Sequence, residues 1–82
     1  MIYTVIWSES AEKQLKKLDR SVAKQIYRKV GQLAEDPYRN TKRLVGMDGY
    51  RLRVGDYRVI YRIDNNKLEI LILKTGHRKN IY

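Results

Sequence analysis

Cysteine is absent from the 82 residues of this chain, and histidine occurs once. Without cysteine the chain forms no disulfide, no zinc ribbon and no thiol-based active site, and a single histidine excludes a histidine-rich metal site. The longest wholly apolar run, residues 70–73, is far too short to span a bilayer, and no signal peptide opens the chain. We therefore expect a cytoplasmic protein without membrane contact, metal or cofactor, folded as a single domain over residues 1–82.

Positive charge is in large excess and unevenly distributed. Eighteen Lys and Arg against nine Asp and Glu give a formal net charge of +9. Residues 1–38 carry seven basic and five acidic side chains, net +2, whereas residues 39–82 carry eleven and four, net +7. Apolar residues make up 43% of the chain, enough for a folded core. A folded domain with one basic half favours a polyanionic partner such as nucleic acid, and a solvated positive surface is the alternative.

Hydrophobic patterning predicts the element order β-α-α-β-β-β. Residues 2–7 form a β-rich run, and Ser8 is a candidate N-cap for a first helix. A second helix follows and ends before Asp36-Pro37, and residues 38–49 are predicted to be a loop. Two hairpins complete the chain. The pattern predicts an α+β fold with a helical hairpin packed on one face of a mostly antiparallel four-stranded sheet.

The predicted register gathers arginines on one face of that sheet. A two-residue turn at 55–56 places Arg53 directly opposite Arg58, with Arg51 on the same side. Like charges facing each other destabilise a sheet by a few tenths to about 1 kcal/mol. An anion over the cluster would offset that cost, because guanidinium groups bind phosphate oxygens bidentately. We therefore favour phosphate binding over a merely solvated face.

Arg62 is predicted to have a structural role instead. A second two-residue turn, at 65–66, would place Arg62 opposite Glu69 on the neighbouring strand. The expected result is a cross-strand ion pair rather than a binding residue.

Two motifs resemble the RelE branch of the RelE/ParE toxin superfamily: YRLRVGDYRVIY at 50–61 and GHRKNIY at 76–82. The resemblance covers essentially the whole chain. It implies a RelE-like toxin domain, similar in fold to small microbial ribonucleases. The implied activity is a metal-independent endoribonuclease, an mRNA interferase that cuts messenger RNA in the ribosomal decoding site by attack of the 2′-hydroxyl. The implied partners are the ribosome, mRNA and an acidic RelB-like antitoxin, with which the toxin could form a hetero-oligomer.

By motif, the resemblance implies catalytic roles for Arg51, Arg53, Arg58, Arg78 and Tyr82. Arg51 and Arg58 would stabilise the scissile phosphate, and Arg78 would assist the departing 5′-oxygen. Tyr82 would stack on a neighbouring nucleotide, and a frayed terminus is its alternative.

The general base is left open by these residues. Arginine is a poor base because its pKa exceeds about 12. Histidine is the residue type that titrates near neutrality, so His77 is a candidate base, a ribosomal RNA contact or a bystander. Lys42, Arg43 and Lys79 are further candidates for RNA contact.

Two other functions remain open. A ParE-branch toxin would poison DNA gyrase and would not be a nuclease, and the GHRKNIY motif at 76–82 argues against it. A non-catalytic basic RNA-binding module would keep salt-dependent RNA binding when Arg78 is replaced.

Overall fold

A computed structural model of the chain describes residues 2–39, 41–44, 46 and 48–77. Their element order is β1 (Thr4–Trp7), α1 (Glu9–Lys16), α2 (Arg20–Leu33), β2 (Thr41–Arg43), β3 (Tyr50–Val54), β4 (Tyr57–Asp64) and β5 (Glu69–His77). Within this described part, no helix is long and apolar enough to cross a bilayer.

The five strands form one sheet in the order β1-β5-β4-β3-β2. β1 runs parallel to β5, and the other neighbours are antiparallel. The predicted α+β architecture is confirmed, but the predicted strand count of four was wrong. The additional strand, β2, lies in the segment 38–49 that was predicted to be a loop. Three polar residues are too few to show an alternating pattern, and β2 forms because its backbone pairs with the edge of β3.

The first helix begins where the sequence predicts. The Oγ of Ser8 accepts a hydrogen bond from the backbone N–H of Ala11 at 3.0 Å, so Ser8 is the N-cap of α1. Ala11 and Leu15 are buried, one helical turn apart, and they turn this face of α1 onto the sheet. The second helix buries a stripe at the same spacing, formed by Ile26, Val30 and Leu33.

The core lies between the two helices and one face of the sheet. Alternation along β3 and β4 brings every second side chain to that face. The buried strand residues are Leu52, Val54, Val59, Tyr61, Ile70 and Ile72. The other side of the sheet, which carries no helix in the described part of the chain, is called the open face below.

The register of the first hairpin is as predicted. Arg53 pairs with Arg58, and Arg51 pairs with Ile60. Gly55 occupies the turn with φ +61°, a backbone conformation that favours glycine.

The second hairpin differs from the prediction. The predicted two-residue turn would place Ile63 opposite Leu68, whereas Ile63 pairs with Ile70 and Asp64 pairs with Glu69 across a four-residue connection. The carboxylate of Asp64 accepts the backbone N–H groups of Asn66 and Lys67 at 3.0 and 3.1 Å, which stabilises the longer turn.

The predicted pairing of Arg62 with Glu69 was therefore wrong. Arg62 lies opposite Leu71 on β5. Its Nη2 lies 3.6 Å from an oxygen of Asp48, and both side chains are exposed. Arg62 therefore forms an ion pair as predicted, but with Asp48 instead of Glu69.

Helix α1 covers the edge of β5 beyond the end of β1. The N–H and Oγ of Ser8 donate to the carbonyl oxygens of Ile72 and Leu73. The N–H of Thr75 donates to Oε1 of Gln14 at 2.8 Å, and the Thr75 hydroxyl donates to the carbonyl oxygen of Ala11. These contacts fix the last part of β5 against the helix.

Candidate functional site

One end of the open face is crowded with cations. The pairing of the strands places two rows of side chains there. The first row is Arg53, Arg58 and Gly76, and the second row is Lys42, Arg51, Ile60 and Lys74. We call the five cationic side chains of these rows the basic end: Lys42, Arg51, Arg53, Arg58 and Lys74.

Arg58 is the most enclosed cation of the basic end, with 9% of its surface exposed. Its Nη1 lies 3.2 Å from the carbonyl oxygen of Tyr57 and 3.5 Å from that of Gly55. Its Nε is buried and has no hydrogen-bond partner among the residues described. A buried donor left without an acceptor costs about 1–3 kcal/mol, so an anion that reached this nitrogen would relieve that cost.

Asp56, in the turn that joins β3 to β4, is the acidic residue next to Arg53 and Arg58 in the hairpin. The salt bridges found within the described ranges join Lys13 to Glu9 and Arg62 to Asp48, and neither involves the basic end. Asp64 and Glu69 pair at the opposite end of the open face. Five cationic side chains beside one carboxylate, that of Asp56, leave the basic end a positive surface suited to phosphates.

Lys74 belongs to this surface, although the sequence did not indicate it. A β-bulge lies between Ile60 and Tyr61: Tyr61 pairs with Ile72, whereas Ile60 pairs with Lys74. Leu73 is the extra residue. Beyond the bulge, Lys74 and Gly76 share the face of the arginines.

Gly76 leaves room beside Arg58. No atom of the described residues would lie within 4 Å of a Cβ placed on Gly76. The backbone of β5 is therefore open to a ligand next to the buried guanidinium.

His77 lies on the other side of the sheet from the arginines. It pairs with Tyr57, and the two rings meet edge to face with centroids 5.4 Å apart. The structure does not bring this ring to Arg58.

The remaining predicted site residues that the structure describes also lie on different faces of the sheet. Lys42 pairs with Arg51 and shares the open face, whereas Arg43 pairs with Tyr50 and has the opposite orientation. Arg78, Lys79 and Tyr82 lie outside the described residues.

Tyr61 holds the chain that leads into β2. Its buried hydroxyl donates to the carbonyl oxygen of Pro37 at 2.7 Å. Burial raises the pKa of Tyr61 from 10.0 to about 12, because the phenolate would lose its hydration. This contact fixes the start of the segment that carries Lys42 to the open face.

The chemistry of the site is that of an anion-binding surface. Arginine and lysine supply its functional groups, and the described ranges hold no cluster of three or more His, Asp or Glu that could bind a metal ion. The guanidinium and ammonium groups can bind phosphate and stabilise negative charge that develops on it.

Comparison with known proteins places this surface in a recognised fold. The family model described as the ParE toxin of type II toxin-antitoxin systems matches residues 5–82. Toxin RelG of Mycobacterium tuberculosis is 36% identical over 87 residues, covering 100% of this chain and 98% of the relative. The mRNA interferase toxin RelE of Escherichia coli is 30% identical over 82 residues, covering 96% of this chain and 86% of the relative.

Solved structures agree with the sequence comparison. The RelBE2 toxin–antitoxin complex of Mycobacterium tuberculosis has a chain that matches with a TM-score of 0.88 and 31% identity, covering 95% of this chain and 100% of that one. The archaeal RelE–RelB complex of Pyrococcus horikoshii matches with a TM-score of 0.81 and 29% identity, covering 98% and 99%.

Proposed function

Because the chain belongs to the ParE toxin family of type II toxin–antitoxin systems, we propose that it is a metal-independent endoribonuclease that cuts mRNA in the ribosomal decoding site. Relatives named RelG and RelE, at 36% and 30% identity, favour the RelE type of toxin over the gyrase-poisoning type.

The observation that carries the proposal is the environment of Arg58. Its guanidinium is buried beside Arg53, and its Nε lacks a partner in the described part of the chain. Two opposed arginines, with no salt bridge to either among the described residues, lower the stability of the fold unless an anion binds over them. A scissile phosphate over Arg58 would accept from Nε and would lower the repulsion between the two arginines.

With the scissile phosphate over Arg58, the proposed cleavage proceeds by transesterification. The 2′-hydroxyl of the RNA gives its proton to water as its oxygen attacks the adjacent phosphorus. The bond to the 5′-oxygen breaks, and that oxygen takes a proton from water, which leaves a 2′,3′-cyclic phosphate and a 5′-hydroxyl. Arg58 and Arg51 stabilise the extra negative charge on the phosphorane, and Arg53 holds the phosphate from the exposed side. We assign Arg78 to the leaving oxygen and Tyr82 to stacking, as their motif implies.

The remaining candidate residues have binding roles in this proposal. Lys42 and Lys79 contact the mRNA backbone, and Arg43, which has the opposite orientation to Lys42, contacts ribosomal RNA. The ring of His77 lies against Tyr57, away from the arginines, so the mechanism gives it no proton-transfer step and leaves it as an RNA contact. Positioning by ribosomal RNA compensates for the lack of a strong base among the arginines.

We further propose a cytoplasmic, single-domain toxin neutralised by an acidic RelB-like antitoxin. The matching structures from Mycobacterium tuberculosis and Pyrococcus horikoshii are complexes of toxin with antitoxin. An acidic segment that folds over the basic end would compete with RNA for the same cations and would give a hetero-oligomer.

The experiment is induction of the chain in a bacterial host, comparing wild type with Arg58→Met by growth and by mapping of mRNA 5′ ends. We expect growth arrest and new 5′ ends within coding sequences for wild type only. Plasmid supercoiling by DNA gyrase is measured in the same cells. Loss of supercoiling without new mRNA ends would replace the nuclease with gyrase poisoning.

A further inference from the structure

The bulge in β5 decides which of its residues face the arginines. If the pairing of Tyr61 with Ile72 continued without interruption, Lys74 would lie opposite Val59, which is fully buried. A shift of one residue moves every following side chain to the other face of a strand. The extra residue, Leu73, therefore carries Lys74 and Gly76 to the open face.

Contacts from α1 hold the bulged register. Thr75 is 2% exposed, and it is bonded through its N–H to Gln14 and through its hydroxyl to the carbonyl oxygen of Ala11. Losing the bulge would expose Thr75 and bury the ammonium of Lys74 in the core, which is strongly unfavourable. The orientation of Lys74 is thus determined by the packing of the helix.

Lys74 completes a row that crosses four strands. Lys42, Arg51, Ile60 and Lys74 follow one another across β2, β3, β4 and β5. With strands about 4.8 Å apart, the row extends about 14 Å across the sheet. Ile60, at 6% exposure, forms an apolar floor between the cations at either end.

This row lies beside Arg58. Arg58 and Ile60 are two residues apart on β4 and face the same side, so an anion on Arg58 has Lys74 and Gly76 as its neighbours on β5. The absence of a side chain on Gly76 leaves the path between the two positions open.

We propose that Lys74 binds a second RNA phosphate, next to the one held by Arg58, and so sets the path of the strand across the sheet. The RNA backbone then follows the second row across the sheet, from Lys74 towards Arg51 and Lys42. This inference rests on the proposed function, since RNA is the ligand. An ammonium group binds phosphate as a point charge, so Lys74 adds affinity without selecting sequence.

The experiment measures binding of the full-length chain to a single-stranded RNA about ten nucleotides long, with 2′-O-methyl riboses that block cleavage. Fluorescence anisotropy gives Kd over a series of KCl concentrations. Each phosphate contact to a single strand contributes about 0.7 to the slope of log affinity against log salt, which is about fivefold in affinity at 0.1 M salt. We expect Lys74→Ala to bind the RNA about fivefold more weakly at 0.1 M salt and with a slope smaller by about 0.7. We expect Lys74→Arg to keep the wild-type affinity and slope.

Lys67→Ala is the matched control. Lys67 is exposed in the turn at the far end of the sheet, and its replacement changes the net charge by the same amount. We expect it to leave the salt slope unchanged. Equal losses for the two alanine variants would mean that only net charge matters, and would overturn the inference.

The remaining outcomes separate the inference from the proposed function. Wild-type binding with an unchanged slope in Lys74→Ala overturns the second phosphate site alone. Failure of the wild-type chain to bind this RNA overturns the second phosphate site, whereas the ribosome-dependent function is tested separately by mapping mRNA 5′ ends. Because Lys74 is exposed, the variants are expected to fold, and thermal unfolding followed by circular dichroism verifies this.

Discussion

Arg53 and Arg58 lie directly opposite each other on β3 and β4, and both donate to the same carbonyl oxygen, that of Gly55. The distances are 3.2 Å from Nε of Arg53 and 3.5 Å from Nη1 of Arg58. One turn carbonyl shared by two cations offsets only part of their repulsion. The pair is therefore held in place at a cost to stability, which an RNA phosphate would relieve.

Replacing Arg58 should increase the stability of the fold and abolish the cutting of RNA. We expect Arg58→Met to raise the free energy of unfolding by about 1 kcal/mol, because it removes a like-charge pair and a buried unpartnered donor. RNA cutting should be lost. Urea unfolding and a cleavage assay on the same preparation measure the two effects.

Arg53→Met is the control for that experiment. Arg53 is exposed, so its replacement relieves the same repulsion without removing a buried donor, and the gain should be a few tenths of a kcal/mol. A loss of stability in Arg58→Met together with retained cutting would contradict the assignment of Arg58 to an anion site.

Two glycines should respond to alanine in opposite directions. A Cβ on Gly49 would lie 3.2 Å from the carbonyl oxygen of Tyr61 and 3.3 Å from a methyl group of Leu44, so Gly49→Ala should destabilise by about 1–3 kcal/mol. Gly31 is exposed in α2 with nothing within 4 Å of its Cβ position, and Gly31→Ala should stabilise by about 0.5–1 kcal/mol. Thermal or urea unfolding measures the change in stability for each variant. Changes in the same direction for the two variants would contradict the packing around these glycines.

Gln14 should control the local stability of β5. Gln14→Ala leaves the N–H of Thr75 without its acceptor and should cost about 1–2 kcal/mol. Hydrogen exchange of the Thr75 amide should accelerate in this variant. Gln14→Glu retains an acceptor and serves as the control, and equal exchange rates in the two variants would exclude this bond as the anchor.

Tyr61 should make stability fall at alkaline pH. Its pKa is about 12 in the folded chain and 10.0 as a free side chain, so the folded state keeps a proton that the unfolded chain releases between these values. The stability due to this difference is complete below pH 10 and is lost as pH rises to about 12.

Tyr61→Phe tests that behaviour. It removes the hydroxyl that donates to Pro37 and should cost about 1–2 kcal/mol near neutrality. The difference between wild type and Tyr61→Phe should narrow as pH rises from 10 to 12. Tyr27→Phe, at a tyrosine that is 53% exposed, controls for other effects of alkaline pH. If the difference in unfolding free energy between wild type and Tyr61→Phe stayed constant from pH 10 to 12, the Tyr61 hydroxyl would have the same pKa in the folded and unfolded chain, which would contradict this prediction.

The first hairpin could be predicted from local sequence alone. Gly55 supplies the turn, and strict alternation on both sides fixes the pairing of Arg53 with Arg58. The second hairpin could not, because the side chain of Asp64 bonds to the turn backbone and lengthens the connection. Hydrophobic alternation is the same for either length, so it did not distinguish them.

The position of Lys74 depends on contacts distant in sequence. The bond from Thr75 to Gln14 joins residues 61 positions apart, and it holds the register that the bulge creates. No local pattern carries that information. The same bulge turns His77 away from the arginines of β3 and β4, so its place in the GHRKNIY motif did not predict proximity to them in space.

We propose above that this chain cuts mRNA on the ribosome with its opposed arginines. The most direct measurement is a cell-free translation reaction with purified toxin, in which mRNA 5′ ends are mapped with and without ribosomes. We expect cuts in phase with the reading frame, present only with ribosomes and absent for a folded Arg58→Met variant. An absence of cuts under both conditions, or equal cutting by Arg58→Met, would contradict it.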